Sequence, residues 1–183
     1  ADGHQFSWSI TDAENKTAKL YKVTMAKKGA LVVPSHFSKN GVDYTVTEMY
    51  DSYTNNQNGV FYPSKGMITA NNQITNIGSY AFYDCDELQV ITIPNTITTI
   101  SKGAFAECGG ITDIYYNANN SVAFQPGTGL FNNSGVADGV NINISQSVKN
   151  IPDYTFSNMT AIKKITFIST EAQPTQITNI GAG

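Results

Sequence analysis

The sequence predicts a mainly β solenoid of short parallel strands, and two observations carry that reading. The first is an echo at a fixed distance. Ile77-Gly78, Ala81-Phe82, Cys85, Leu88, Ile91 and Ile93 recur as Ile100-Ser101, Ala104-Phe105, Cys108, Ile111, Ile114 and Tyr116, each 23 residues further on. A unit that short cannot bury its apolar face alone and must stack on a neighbour. The second is composition. Of 183 residues only 14% are charged, where a globular protein carries about a quarter, so the polar surface falls to Asn, Thr, Ser and Gln. That suits stacked strands with neutral outward faces, and a 40% hydrophobic content suffices for a continuous core.

Taken from the N-terminus, Phe6, Trp8 and Ile10 alternate, as do Tyr21, Val23 and Met25, with a polar stretch between them. Period-two alternation on both sides of a polar link predicts an antiparallel hairpin, placed here as the N-terminal cap. Leu31-Val32-Val33-Pro34 resembles Ile91-Thr92-Ile93-Pro94, and Val46 to Met49 resembles Ile97 to Ile100, with Asn40-Gly41 as the turn between. Asp51 to Asn72 reads as an irregular rung with a loop. One solenoid domain is expected over 1–183: 1–50 as cap and first degenerate repeat, 73–116 as regular 23-residue repeats, 117–183 as irregular repeats.

Within one repeat, Ile91-Thr92-Ile93 is a short strand with isoleucines inward and Thr92 outward. Pro94, which lacks a backbone donor, ends it, and Ile97 to Ile100 supplies a second extended face. Gly78 or Gly103 permits a bend before Ala81-Phe82 or Ala104-Phe105. There a helical or 3-10 turn would set Phe and Cys, three residues apart, on one face. The structural set is therefore Ile77, Phe82, Cys85, Leu88, Ile91, Ile93, Ile100, Phe105, Cys108, Ile111 and Ile114. At an offset of 51 the series continues with Ile142, Ile144, Val148, Ile151, Phe156, Met159, Ile162, Ile165 and Phe167. Two periods plus five residues separate the copies, and the extra residues fall between Asn117 and Val140, where Leu130-Phe131 supplies a degenerate rung. Gln176 to Gly181 repeats Gln73 to Gly78 letter for letter, which leaves two readings: a fragment of a longer array, the one favoured, or a natural end without an obvious polar cap.

Cys85 and Cys108 share one repeat position, which argues for buried free thiols packed alike rather than a redox or metal motif. His4 and His36 show no metal-ligand spacing, and Asp84, Asp86 and Glu87 lack the pattern of a calcium loop. No nucleophile elbow or phosphate loop is present, so no enzyme activity and no cofactor are expected. A net charge of −3 with no basic stripe excludes the usual source of nucleic-acid affinity. No run approaches the roughly 18 apolar residues of a membrane span, and no signal segment stands in this chain.

The pattern Ile-Gly-x-x-Ala-Phe-x-x-Cys-x-x-Leu-x-x-Ile-x-Ile-Pro, standing from Ile77 to Pro94, resembles the BspA-like leucine-rich repeat of bacterial surface proteins. Ser101 departs from it where Gly is expected, and Met159 where Cys is expected. The resemblance implies a right-handed leucine-rich repeat solenoid, secreted or at the cell surface, with adhesion to host matrix or cell-surface protein. Its motif residues are structural, so it brings no catalytic set.

Alternation sets Val90 and Thr92, Asp113 and Tyr115, and Lys164 and Thr166 on the outward face of the main sheet. Tyr115, flanked by Asp113 and Lys164, is the candidate contact patch of a non-enzymatic recognition module. Two other readings stand beside it. One is a structural spacer within a longer surface protein. The other is a carbohydrate-binding accessory domain, with Tyr115 and Tyr116 lining a groove.

Overall fold

A computed structural model describes residues 5–24, 31–49, 65–69, 73–118, 129–159, 161–169 and 177–181. Fourteen strands occur among them. β1 (Gln5–Asp12) and β2 (Thr17–Thr24) form the N-terminal hairpin; β3 (Leu31–Val32) follows, and β4 (His36–Lys39) pairs antiparallel with β5 (Val42–Met49). Next come β6 (Lys65–Thr69), β7 (Asn76–Ile77), β8 (Glu87–Ile93), β9 (Thr99–Ile100) and β10 (Asp113–Tyr116). β11 (Val140–Ile144), β12 (Asn150–Ile151), β13 (Ile162–Phe167) and β14 (Asn179–Ile180) complete the series.

The longer strand of each rung joins a main sheet of order β13-β11-β10-β8-β6-β3, parallel throughout. The shorter strand joins a second sheet, β1-β2-β5-β7-β9, with β4 on β5, and β12-β14 forms a third, separate pair. Register follows the repeat. Ile91, Ile114, Ile142 and Ile165 lie in one row, and Ile93, Tyr116, Ile144 and Phe167 in another. Leu31 aligns with Ile68 and so with Ile91, while Met49 aligns with Ile77 and so with Ile100, as their sequence likeness predicts. Asn40 and Gly41, with φ of 53° and 76°, form the expected hairpin turn. Most of Asp51 to Asn72 lies outside the described residues.

The turn that closes each rung differs from expectation. No helix occurs among the described residues. Each turn instead carries left-handed residues: Tyr80 and Asp84, Gly103 and Glu107, Asn133, and Tyr154 and Asn158, all with φ between 54° and 61°. A left-handed residue interrupts the run of equal dihedrals that a helix needs, and it turns backbone donors along the stack. The N–H groups of Tyr80, Phe82 and Asp84 donate to the carbonyls of Lys102, Ala104 and Ala106 at 3.2, 2.7 and 3.0 Å. Phe105 and Glu107 donate in the same way to Leu130 and Asn132 at 3.0 and 2.9 Å. Phe and Cys still share the inner face, because consecutive turns preserve the three-residue spacing.

Apolar side chains fill the interior continuously, from Leu20 and Val46 through Ile77, Leu88 and Ile114 to Ile142 and Ile151. Under the turns the rings of Phe82, Phe105, Phe131 and Phe156 form a column, stacked at 4.7, 5.4 and 5.7 Å within 17° of parallel. At the other end Phe6, Trp8, Phe37 and Tyr44 stack at 5.3 to 5.6 Å and close the hairpin onto the core. Ile162 and Ile165 occupy the repeat positions assigned to them but are not buried, at 44% and 45% exposure. They face inward on the last strand of the main sheet, and no described strand pairs beyond it.

Candidate recognition face

The outward face of the main sheet is built by alternation from β8, β10, β11 and β13. One row runs Val90, Asp113, Asn141, Lys164, and the next runs Thr92, Tyr115, Asn143, Thr166. The six residues named from the sequence therefore share one face. β11 stands between Asp113 and Lys164, however, so Lys164 does not flank Tyr115 directly. Asn141 and Asn143 complete the two rows, and their positions beside buried Ile142 and Ile144 are the sequence signal that marks them as outward.

Tyr115 is the large side chain of this face, 40% exposed, with Thr92 and Asn143 in register on either side. Lys164 is exposed, while Val90, Thr92, Asp113 and Thr166 are half-buried. Asp113 is already engaged: Thr112 Oγ1 donates to Oδ2 at 2.8 Å and Asn141 Nδ2 to Oδ1 at 3.0 Å. The Asn141 bond ties β11 to β10 from outside, and the Thr112 bond fixes the Asp113 carboxylate beside Tyr115. Tyr116 does not join it. Adjacent strand residues point to opposite faces, and Tyr116 is fully buried, edge-on to Phe156 at 5.9 Å. The two-ring groove of the carbohydrate reading is absent at this pair.

Elsewhere the polar groups serve the scaffold. Cys85 and Cys108 are free and buried. The Cys108 thiol donates to the Phe82 carbonyl at 3.0 Å, and burial, with Cys85 beside it, pushes its pKa well up. In the next rung Ser134 takes that place, its Oγ donating to the Phe105 carbonyl at 2.6 Å and accepting from the Cys108 N–H at 3.0 Å. Burial raises the pKa of Asp84, with Asp86 and Glu107 adding charge repulsion. Asp86 accepts from the Gly109 N–H at 3.0 Å. No group of three or more His, Cys, Asp or Glu that could hold a metal ion occurs among the described residues. His36 is exposed, bonded to Ser35 through Nδ1, and His4 lies outside the described residues. No helix of the described residues is long and apolar enough to cross a membrane.

Comparison with known proteins agrees with this geometry. The model of the BspA type leucine rich repeat region matches in six copies, over residues 17–136 and 125–182. A leucine rich cell surface protein of Faecalibacterium prausnitzii A2-165 has a similar structure, with a TM-score of 0.59 at 19% identity, over 99% of this chain and 50% of that one. The T. pallidum leucine rich repeat protein aligns with a TM-score of 0.61 at 18% identity, over 96% of this chain and 78% of that one. The pneumococcal vaccine antigen PcpA aligns with a TM-score of 0.54 at 15% identity, over 87% and 47%. At such identities the likeness is one of fold, and the chain spans half the length of the Faecalibacterium protein. No curated protein matches the chain.

Proposed function

Because the chain belongs to the BspA-type leucine-rich repeat family, we propose that it is a non-enzymatic recognition module of a bacterial surface or secreted protein. It binds protein through the outward face of its main sheet, a host matrix or cell-surface protein being the partner class. The observation that supports this is Tyr115, a large amphipathic side chain exposed between short Thr and Asn neighbours on a rigid parallel sheet. Aromatic side chains of this kind carry much of the energy of protein interfaces, and a ring already held by its strand loses little freedom on binding. The hydrogen-bonded surround, in which Asp113 is tied to Thr112 and Asn141, favours short-range contact.

A binding screen against arrayed matrix proteins and glycans, with Tyr115→Ala alongside, tests the proposal. Affinity for the partner should fall tenfold or more in the variant, about 1.4 kcal/mol, while thermal stability stays within a few degrees. Equal affinity of both proteins would remove Tyr115 from the contact. Silence across both arrays would put the spacer reading first.

A further inference from the structure

Positive charge is scarce along the regular rungs and is gathered at one place on the recognition face. Between residues 73 and 148 the sequence has one lysine, Lys102, against six carboxylates, and Lys102 lies over the Tyr80 ring, 5.9 Å from its centre. β8, β10 and β11 contain no lysine, whereas β13 carries two in succession, Lys163 and Lys164, both exposed.

Strict alternation would send consecutive residues to opposite faces. The register shift between Val140 and Asn141 prevents it: Val140 aligns with Ile162 and Asn141 with Lys164, so Lys163 is the extra residue. A bulge of this kind re-aims the side chains around it. The room for Lys163 is left by Gly139, at φ 99°, where a Cβ would lie 2.7 Å from the Cβ of Lys163. Neither lysine has a hydrogen bond or ion pair among the described residues. Two carboxylates stand near them. Asp113 shares the Lys164 row two strands away and is held by Thr112 and Asn141. Asp138, exposed, precedes Gly139 and makes no ion pair with Lys163. The sheet therefore presents two adjacent, uncompensated positive charges two strand spacings, about 10 Å, from the strand that carries Tyr115.

We propose that the protein partner of this face is acidic where it crosses β13, setting carboxylates on Lys163 and Lys164 while an apolar group of it covers Tyr115. This inference rests on the recognition reading and names the chemistry of its partner. Charge complementarity carries it, since exposed charges steer encounter and turn away partners of like sign. An acidic surface brought to the turns would meet Asp84, Asp86 and Glu107 instead, so the lysine pair sets the position of the partner as well as attracting it. Both lysines are exposed and act on arrival, whereas Tyr115, within the contact, acts on residence.

The test uses the whole chain and measures association and dissociation separately. The probes are the protein hits of the matrix array and a random Glu–Tyr copolymer, with a Lys–Tyr copolymer as the probe of opposite charge. Lys163→Glu combined with Lys164→Glu should slow association of the array hits and of the Glu–Tyr copolymer at least ~10-fold, change dissociation less than ~3-fold, and turn the preference toward the Lys–Tyr copolymer. Lys163→Gln with Lys164→Gln should fall between. Raising ionic strength from about 0.05 to about 0.5 M should slow association with the unaltered chain and leave the Gln pair nearly unchanged. Tyr115→Ala should instead hasten dissociation. The inference is overturned, and the recognition reading kept, if Tyr115→Ala weakens binding while the lysine variants associate at unchanged rates. It is also overturned if the unaltered chain holds the Lys–Tyr copolymer as well as the Glu–Tyr one. Both readings fall if neither the array nor either copolymer binds.

Discussion

At the scale of single residues the chain uses small polar side chains to close backbone valences between rungs. Ser134 shows this most clearly, serving the Phe105 carbonyl and the Cys108 N–H at once while fully buried. Ser134→Ala should cost about 1–3 kcal/mol, since both partners stay buried without a bond. Ser134→Cys, which restores the side chain found one rung earlier, should recover most of that loss; urea unfolding of the two variants checks the order. Asp84 is placed less well, left-handed at φ 59° and crowded by Asp86 and Glu107. Asn tolerates that backbone better and removes the charge, so Asp84→Asn should stabilise at pH 7 by no more than about 0.5 kcal/mol, solvent screening keeping it small. Asp84 has a raised folded-state pKa, so its proton favours the folded state below the ordinary value of 3.8 and that support is lost as pH rises. The charge contribution to that gain should accordingly vanish below about pH 4, leaving only what the backbone supplies; a gain that is the same at both pH values would place its origin in the backbone alone.

At the scale of the element, the strand is the part that alternation predicts and the turn is the part it does not. Ile91-Thr92-Ile93 and its copies state their faces directly, because a side-chain period of two leaves one choice once the isoleucines are inside. The same rule, applied to Tyr115 and Tyr116 together, shows why they cannot line one groove. The turns were legible only as spacing. Phe82 and Cys85, three apart, fit a helical turn and a pair of β-turns equally. What separates the two is the left-handed residue, and Tyr80, Glu107 and Tyr154 are not residues that advertise it. Gly103 does, and it has a second constraint, since a Cβ there would lie 2.5 Å from Cε1 of the Tyr80 ring. The ring column gives the element its energy. Phe105, stacked on both Phe82 and Phe131, should cost about 3–5 kcal/mol on truncation to Ala, and a loss under about 1 kcal/mol in chemical denaturation would contradict the packing.

At the scale of the whole molecule the period alone made the architecture readable, down to the insertion that puts 28 residues rather than 23 between Ile114 and Ile142. The exposure of Ile162 and Ile165 was not readable in the same way, because a repeat position promises burial only when a rung follows. This unevenness predicts a gradient in stability. Among the described residues, β7 to β10 are paired on both sides or lie next to strands that are, whereas β12 and β14 form a sheet of two and β13 is an outer strand. Native-state hydrogen exchange should therefore be slowest in β8 and β10 and fastest in β12 to β14; equal protection throughout would mean that the stack unfolds as one unit. The direction of the bonds has a mechanical consequence. The sheets and the turn column are hydrogen-bonded along the stacking axis, so a pull between the ends loads one rung interface at a time rather than shearing many together. Each regular rung occupies about 4.8 Å of that axis yet holds roughly 80 Å of extended chain. Drawn out in an optical trap, the molecule should lengthen in steps of that order, as a tether that yields by increments while the rungs behind it stay folded.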